Sequence, residues 1–328
     1  MPPLITSTYT ADPSAHVFNS RVYIYPSHDR ETDIPFNDNG DQYDMVDYHV
    51  YSTPSLSPPA AVTDHGCVLS LRDVPWASRQ LWAPDAAAKN GKYYLFFPAR
   101  DKEGIFRIGV AVGSEPHGPF EADPEPIRGS YSIDPASFVD DDGEAYLYFG
   151  GLWGGQLQCY QNGDASTFDT DWQGPKERSG SGQCAQGPRV GRLTEDMRQF
   201  AESPREISIL DPDTKEPIMA DDHDRRFFEA AWVHKRNGVY YLSYSTGDTH
   251  FLCYATATSP LGPFTYGGKI LEPVLGWTTH HSIVEFQGRT YLFYHDCELS
   301  KGVDHLRSVK VKEIFYNAEG RIVATTPD

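Results

Sequence analysis

The chain of 328 residues carries 46 Asp and Glu against 28 Lys and Arg, a formal net charge of −18. A surface with this excess of negative charge repels phosphate groups, which argues against nucleic acids and anionic membranes as partners and favours a neutral ligand or a cation. Tyr (20) and Phe (17) dominate the aromatic residues, and 28 Gly and 25 Pro are spread along the chain, as expected for many short strands joined by many turns.

The five cysteines are far apart and form no Cys-x-x-Cys pair, so we expect reduced thiols packed as small apolar side chains. Residues 1–6 show no basic region followed by an apolar run, and no stretch approaches the roughly 20 apolar residues of a membrane span. The sequence therefore predicts a soluble, cytoplasmic protein.

A pattern of four parts recurs five times along the chain: a polar or ionisable residue, a short apolar strand, a tight turn and an aromatic-rich strand. The five copies begin, in chain order, at Asp12, Asp85, Asp134, Glu229 and His281. Three of the five turns contain Asn-Gly or Asp-Gly, the strongest short-range signal of a β-hairpin. The recurrence predicts five similar hairpins.

A further strand follows several of the hairpins. Residues 110–120 closely resemble residues 254–264, and both segments end in a turn that contains Pro and Gly. Each repeat thus has three to four antiparallel strands, the size of one propeller blade. The uneven spacing of the repeats indicates two long inserted loops, residues 29–44 and 154–207. The sequence predicts an all-β, five-bladed β-propeller that spans residues 1–328 as one domain.

The residues that open the repeats are candidates for a common site. In a propeller the first strand of each blade lines the central channel, so we expect most of the five residues to face one shared pocket. A single Asp at the start of a strand is commonly a turn former. Several acids in register are different, because like charges a few ångströms apart raise each other's pKa and are costly to bring together.

Four short segments in the right order carry a resemblance to a known family. Residues 11–14 (ADPS), 132–135 (SIDP), 228–231 (FEAA) and 280–283 (HHSI) resemble segments of glycoside hydrolase family 43, and the resemblance extends over essentially the whole chain. Members of this family are five-bladed propellers that act on β-xylosides and α-L-arabinofuranosides. The resemblance implies that Asp12 is the general base, Glu229 the general acid and Asp134 a helper that raises the pKa of the acid.

The same resemblance implies roles for other residues. Arg307 matches an arginine that lies near the helper aspartate and touches the sugar, and Trp82 matches an aromatic wall of the sugar pocket. His281 matches a histidine that binds a calcium ion on the propeller axis. Phe36, in the first inserted loop, is a candidate to cap the pocket, and His250 is a weaker candidate to reach it. The alternatives are a surface salt bridge for Arg307, a core position for Trp82 and a metal-free hydrogen bond for His281.

The implied activity is exo-acting, inverting hydrolysis that releases xylose from the non-reducing end of β-1,4-xylooligosaccharides, accompanied by α-L-arabinofuranosidase activity. An inverting mechanism predicts roughly 6.5–9.5 Å between the Asp12 and Glu229 carboxyls, which leaves room for water. The alternatives are an α-L-arabinofuranosidase, an endo-arabinanase, a retaining enzyme, a hydrolase with catalytic calcium, and a non-catalytic carbohydrate-binding propeller.

Overall fold

The computed structural model describes residues 2–58, 60–160, 165–277 and 280–323. These residues form 22 strands in five sheets. The innermost strands of the sheets contact one another in a closed ring, in the order β1, β6, β10, β15, β19 and back to β1. The strands are given with their residue ranges below. The predicted five-bladed β-propeller is confirmed.

Each blade is one sheet, numbered here in chain order. Blade 1 contains β1 (Tyr9–Phe18), β2 (Arg21–Asp29), β3 (Asp47–Thr53) and β4 (Thr63–Ser70). Blade 2 contains β5 (Ala77–Arg79), β6 (Asp85–Lys89), β7 (Lys92–Asp101), β8 (Phe106–Gly113) and β9 (Glu121–Ala122). Blade 3 contains β10 (Ala136–Val139), β11 (Ala145–Phe149), β12 (Arg189–Arg192) and β13 (Arg205–Glu206). Blade 4 contains β14 (Ile209–Leu210), β15 (Glu229–Arg236), β16 (Val239–Ser245), β17 (Leu252–Ala257) and β18 (Phe264–Leu271). Blade 5 contains β19 (His281–Phe286), β20 (Arg289–Asp296), β21 (Ser308–Tyr316) and β22 (Ile322–Val323).

Neighbouring strands of a blade are antiparallel, except that β14 pairs with β18 in parallel. The helical structure of the described residues is limited to four single-turn 3₁₀ helices, at Leu71–Asp73, Trp153–Gly155, Leu157–Cys159 and Thr170–Trp172. No helix in these ranges is long and apolar enough to cross a membrane.

The two predicted inserted loops have different outcomes. The connection between β2 and β3 is a loop without regular secondary structure, as predicted for residues 29–44. The segment 154–207 was predicted as one long loop, and this is wrong, because it contains β12 and β13, the two outer strands of blade 3. The prediction failed because these strands are short and contain several charged residues, so their apolar alternation is weak.

The hydrophobic core lies between adjacent blades. One cluster of buried side chains joins blades 1 and 2, another joins blades 1 and 5, and the largest runs across blades 2, 3, 4 and 5. The first and last blades are also joined by backbone hydrogen bonds, from Leu4 N to Val309 O (2.7 Å) and from Thr10 N to Arg307 O (2.9 Å). The seam between the two ends of the chain is therefore both packed and hydrogen-bonded.

Candidate active site

A pocket opens where the innermost strands of blades 1, 3 and 4 begin. Its cavity volume is about 190 Å³. Its lining combines carboxylates, aromatic rings, an imidazole and a guanidinium, including Asp12, Asp134, Glu229, Phe36, Tyr43, Trp82, Trp153, Phe228, Trp277, His280 and Arg307. Six of the candidates named from the sequence thus line one pocket, whereas His281, Asp85 and His250 do not.

Local backbone irregularities aim the three acids into this pocket. Asp12 and Asp134 have positive φ angles, 48° and 56°, a region that non-glycine residues rarely adopt. The pairing of β1 with β2 shifts register between Ala11 and Ser14, and β15 shifts against β16 just after Glu229, where Ala230 has φ 61°. A β-bulge turns side chains away from the regular alternation of a strand. The strained positions, each costing on the order of 1 kcal/mol, therefore coincide with the candidate catalytic residues.

Asp12 is held as an ionised carboxylate. Ser27 Oγ donates a hydrogen bond to its Oδ2 (2.6 Å), and Arg307 Nη1 donates one to its Oδ1 (3.0 Å). Burial alone would raise the pKa of Asp12, but Arg307, the imidazoles of His295 and His280 and the Ser27 hydrogen bond outweigh burial and lower this pKa below its ordinary value. The carboxylate can therefore accept a proton.

Arg307 joins Asp12 to a second buried acid, Asp29, at the end of β2. Its Nε and Nη2 donate to the two carboxylate oxygens of Asp29 at 2.9 and 2.8 Å, a paired geometry that fixes the guanidinium plane. The guanidinium also lies over the ring of Tyr43, 4.8 Å from its centre. The resemblance implied an arginine near the helper Asp134. Arg307 lines the same pocket as Asp134 and its charge lowers the pKa of that acid, while its hydrogen bonds join it to Asp12 and Asp29.

Asp134 and Glu229 share a buried environment that favours one proton between them. Burial, followed by the charges of Glu229 and Asp12, raises the pKa of Asp134, and burial and Asp12 raise the pKa of Glu229. Ala230 N donates a hydrogen bond to Asp134 Oδ2 (2.9 Å), which stabilises the ionised form of Asp134. Glu229 Oε1 is buried and has no hydrogen-bond partner among the described residues. We therefore assign the proton to Glu229.

The sequence reasoning selected His281, whereas His280 is the histidine that lines the pocket. His280 Nδ1 lies 3.9 Å from Asp12 Oδ1 and 3.8 Å from Asp134 Oδ2, between the two acids. Burial lowers the pKa of His280 despite the opposing charge of Asp12, which favours the neutral imidazole. Both histidines belong to the segment 280–283, so the signal was present, but the choice between adjacent residues depends on which of them faces the pocket.

His281 is fully buried beneath the pocket, and its Nε2 forms a hydrogen bond with Ser243 Oγ (2.6 Å). Its Nδ1 has no hydrogen-bond partner among the described residues, so this atom is available to a ligand. Among the residues that the structure describes, His281 belongs to no group of three His, Cys, Asp or Glu side chains close enough to bind one metal ion. His281 therefore fits calcium only as a single imidazole ligand of a hydrated ion, because calcium prefers six to eight oxygen ligands.

Asp85 occupies the repeat position equivalent to the catalytic candidates but does not line the pocket. It accepts hydrogen bonds from Ser14 and Ser137 and pairs with His16 Nε2 (2.7 Å), so it joins blades 1, 2 and 3. Its strand pairs regularly, with Asp85 opposite Phe96 and no bulge. Without the bulge, the side chain is directed into the contact between blades.

Aromatic side chains form the walls of the pocket. Trp82 is 9% exposed, and its Nε1 donates to Tyr43 O (2.7 Å), so it is both a pocket wall and part of the core. Phe36 is 63% exposed at the pocket edge. The sequence reasoning missed Trp153 and Trp277, whose rings stack with centroids 5.6 Å apart. The sequence Gly-Leu-Trp-Gly-Gly around Trp153 was an available signal, because a tryptophan between glycines is unusual for a strand or a core.

Two further residues contact this aromatic pair, of which His250 was a weaker candidate to reach the pocket. The ring of His250 lies edge-on to Trp277, at 4.6 Å between centroids, and His250 is not part of the pocket lining. Phe228, immediately before Glu229, packs edge-on against both tryptophans. The aromatic wall thus continues from the acid outward, and His250 supports it from behind.

A buried arginine joins the two loops that complete the pocket. Arg100 Nη2 donates to Asn39 O (3.0 Å), in the β2–β3 loop, and to Gly154 O (3.3 Å), next to Trp153. A Cβ atom on Gly154 would lie 2.8 Å from Asn39 O, so the close approach of the loops requires glycine. Within the described ranges no carboxylate pairs with Arg100, and burial lowers its pKa to about 10, which still leaves it charged at neutral pH.

Comparison with known proteins agrees with this geometry. The model of the family described as glycosyl hydrolases family 43 matches residues 3–322. Xylosidase/arabinosidase 43A of Humicola insolens is 76% identical over all 328 residues of both chains. A xylosidase/arabinosidase of Bacteroides ovatus is 57% identical, over 98% of this chain and 96% of its own.

Solved structures give the same result. A β-xylosidase/α-arabinofuranosidase from a compost microbial metagenome, in complex with xylotriose, has a TM-score of 0.95 and 59% identity, covering 99% of this chain and 97% of its own. An enzyme of the family from Xanthomonas citri, also complexed with xylotriose, has a TM-score of 0.90 and 57% identity, covering 98% and 92% of the two chains. From its family match and its close relatives, this chain belongs to glycosyl hydrolases family 43 and is a glycosidase.

Proposed function

We propose that the protein is an exo-acting, inverting enzyme that releases xylose from the non-reducing end of β-1,4-xylooligosaccharides and also hydrolyses α-L-arabinofuranosides. The observation that carries the proposal is the presence of an ionised carboxylate, Asp12, and a protonated one, Glu229, in the same pocket. The names of the relatives, xylosidase/arabinosidase and β-xylosidase, support the choice of sugars.

The mechanism assigns one proton transfer to each acid. Asp12 takes a proton from a water molecule as the water oxygen attacks the anomeric carbon. Glu229 gives its proton to the glycosidic oxygen as the bond from that oxygen to the anomeric carbon breaks. Burial and the charge of Asp12 raise the pKa of Glu229. The helper role of Asp134 is that its ionised carboxylate, in the same buried environment, raises this pKa further, and Arg307 fixes the orientation of Asp12.

Exo action is supported by the shape of the pocket. The β2–β3 loop, which carries Phe36 and Tyr43, closes one side, and Arg100 fastens this loop to the segment at Gly154. A closed pocket accepts a chain end and excludes the middle of a polymer. The stacked Trp153 and Trp277 offer apolar faces to the C–H groups of a sugar ring.

Hydrolysis of defined substrates tests the proposal. We expect release of p-nitrophenol from the β-D-xyloside and the α-L-arabinofuranoside, and conversion of xylobiose to xylose. Proton NMR should detect α-xylose as the first product from a β-xyloside, because inversion requires it. β-Xylose as the first product would contradict the inverting mechanism, and cleavage restricted to linear arabinan would favour the endo-arabinanase alternative.

The pH dependence of kcat/KM should be bell-shaped. The rate requires ionised Asp12, whose pKa is lowered, so activity is lost only when the pH falls below the ordinary aspartate range. It also requires protonated Glu229, whose pKa is raised, so activity is lost as the pH rises through that value. In Asp134→Asn the alkaline limb should move to lower pH, because the neighbouring negative charge is gone. An unchanged alkaline limb in this variant would contradict the role of Asp134.

Arg100→Met should raise KM about tenfold with a smaller change in kcat. The variant loses two hydrogen bonds from a charged group to the pocket loops, together worth roughly 3–6 kcal/mol to the arrangement of the loops. A tenfold change in affinity corresponds to about 1.4 kcal/mol, so the expected rise in KM needs only part of this energy, because the other contacts of the loops remain. Steady-state kinetics on xylobiose measures the effect. Arg79→Met, at an exposed arginine of the same blade, is the control. A lower melting temperature with unchanged KM would assign Arg100 to stability alone.

Two expectations from the sequence stay predictions. Calcium at the propeller axis would be bound through His281 Nδ1 and water molecules, and when bound it would supply positive charge beneath the pocket. Isothermal titration calorimetry of calcium into protein freed of metal with a chelator should show one bound ion per chain. The His281→Ala variant should not bind this ion. Heat of binding unchanged in this variant would place any calcium elsewhere. Cytoplasmic localisation is testable by fractionation of the source cells.

A further inference from the structure

A second group of potential metal ligands lies on blade 1, outside the pocket. His28 Nδ1 is 2.6 Å from Asp47 Oδ1, and the rings of His28 and His49 have centroids 4.7 Å apart. One ligand atom from each of these three residues lies within 4.8 Å of the other two. We call His28, Asp47 and His49 the blade 1 cluster. None of the three lines the pocket that contains the three acids.

The strand geometry of the blade produces this cluster. Asp47 and His49 are two residues apart on β3, so their side chains lie on the same face of the sheet. Strand β2 is the neighbour of β3, and its register, with Ile24 opposite Tyr51, brings His28 level with Asp47 when continued along the strand. The pairing of β3 with β4 shifts register on both sides of His49, so an irregularity of the blade sets the position of this imidazole next to His28 and Asp47.

Asp64, on β4, has its Oδ1 3.2 Å from His49 Nδ1, but it does not belong to the group of three whose ligand atoms lie within 4.8 Å of one another. It contacts the second imidazole of the cluster from the neighbouring strand. The side chains of His28, Asp47 and His49 are 23%, 25% and 19% exposed, so an ion can enter from solvent while most of each side chain stays held by the blade. The ligands of the cluster are two imidazole nitrogens and one carboxylate oxygen, which leaves one position of a tetrahedral zinc ion for water.

We propose that the blade 1 cluster binds a zinc ion, with His28, Asp47 and His49 as its three protein ligands and water in the fourth position. Zinc accepts imidazole and carboxylate ligands in a tetrahedral arrangement, and two histidines favour zinc over the oxygen-preferring calcium and magnesium. The ion would join two adjacent strands, β2 and β3. It would therefore stabilise blade 1, and it is separate from any ion at His281.

A matched pair elsewhere on the surface shows what the cluster adds. His223 Nδ1 is 2.6 Å from Asp248 Oδ2, the same contact as between His28 and Asp47. The neighbour of the histidine–aspartate pair differs between the two places. In the blade 1 cluster it is a second imidazole, His49, whereas beside His223 it is Arg226, a cation that repels a metal ion. Both places have a histidine–aspartate contact, and the second imidazole is what distinguishes the blade 1 cluster as a candidate metal site.

Zinc binding should be measured in a Cys67→Ser, Cys184→Ser background, because both cysteines are exposed and thiolates bind zinc. Equilibrium dialysis against zinc chloride should show that His49→Ala and Asp47→Asn each bind one zinc ion per chain fewer than this parent, and that His223→Ala binds as many as the parent. The comparison between variants is the readout, so zinc bound at His281 does not affect it.

Two further measurements complete the test. Cobalt(II), a spectroscopic substitute for zinc, should give visible absorption typical of tetrahedral coordination in the parent and lose it in His49→Ala. Zinc should raise the melting temperature of the parent with increasing concentration, and this increase should be absent in Asp47→Asn, whose side chain has nearly the same shape. Equal zinc stoichiometry in the parent, His49→Ala and Asp47→Asn would overturn the proposal.

Discussion

Replacement of Glu229 with Gln should lower kcat on xylobiose by about 10²–10⁴-fold, the range that general acid catalysis supplies. The amide has no proton to give to the leaving sugar oxygen. Because Glu229 is protonated and 7% exposed, the neutral amide should fit the same site with little loss of stability. Affinity for xylobiose, measured by isothermal titration calorimetry, should stay close to that of the unmodified enzyme.

The leaving group separates this acid from other roles. p-Nitrophenolate leaves with little protonation, so Glu229→Gln should lose much less activity on the p-nitrophenyl β-D-xyloside than on xylobiose. Glu285→Gln, at an exposed glutamate of blade 5, is the control and should have unchanged kinetics. Equal losses on both substrates would exclude Glu229 as the acid that protonates the leaving group.

Replacement of Asp12 with Asn should reduce kcat by a similar factor, about 10²–10⁴, but equally for both substrates. Activation of water is needed whatever sugar or phenol leaves, so a better leaving group cannot compensate. Arg307 retains its two hydrogen bonds to Asp29 in this variant, which should preserve the fold of the pocket. The comparison of kcat for xylobiose and the p-nitrophenyl xyloside is the measurement.

Asp85 provides a matched control for Asp12, since it opens the equivalent strand of blade 2. Asp85→Asn weakens the contacts with Ser14 and Ser137 between the blades, so it should lower the melting temperature. The folded fraction should keep a normal kcat.

An activity loss in Asp12→Asn that depends on the leaving group would argue against the role of Asp12 as the base.

The repeat in the sequence was sufficient to predict the propeller, and it placed the three acids among the five residues that open the repeats, whereas the choice of these three came from the resemblance to the family. Apolar alternation and hairpin turns are local signals, and blade geometry then brings the first strands together. The same reasoning treated Asp85 as equivalent to Asp12 and Glu229. Bulges beside Asp12 and Glu229 redirect those side chains, and a bulge has no reliable signature in the spacing of apolar residues.

The residues that tune the acids could not be predicted in this way. Asp29 and His295 lie at the ends of second strands, and Trp153 and Trp277 lie in connections between strands. None of them occupies a repeated position. They meet the acids only through contacts between distant parts of the chain, which a search for local patterns does not detect.

The seam between blades 1 and 5 links catalysis to the completion of folding. Asp12 and Arg307 are 295 residues apart in sequence, yet they share a hydrogen bond in the pocket. Contacts at such separation carry a large loop-closure entropy and are expected to form late. A nascent or truncated chain that has already built blades 2 to 4 would hold Asp134 and Glu229 without a positioned base. The rate at which hydrolysis recovers during refolding would therefore report when blades 1 and 5 join. The rate at which β-strand content recovers would report when the individual blades form.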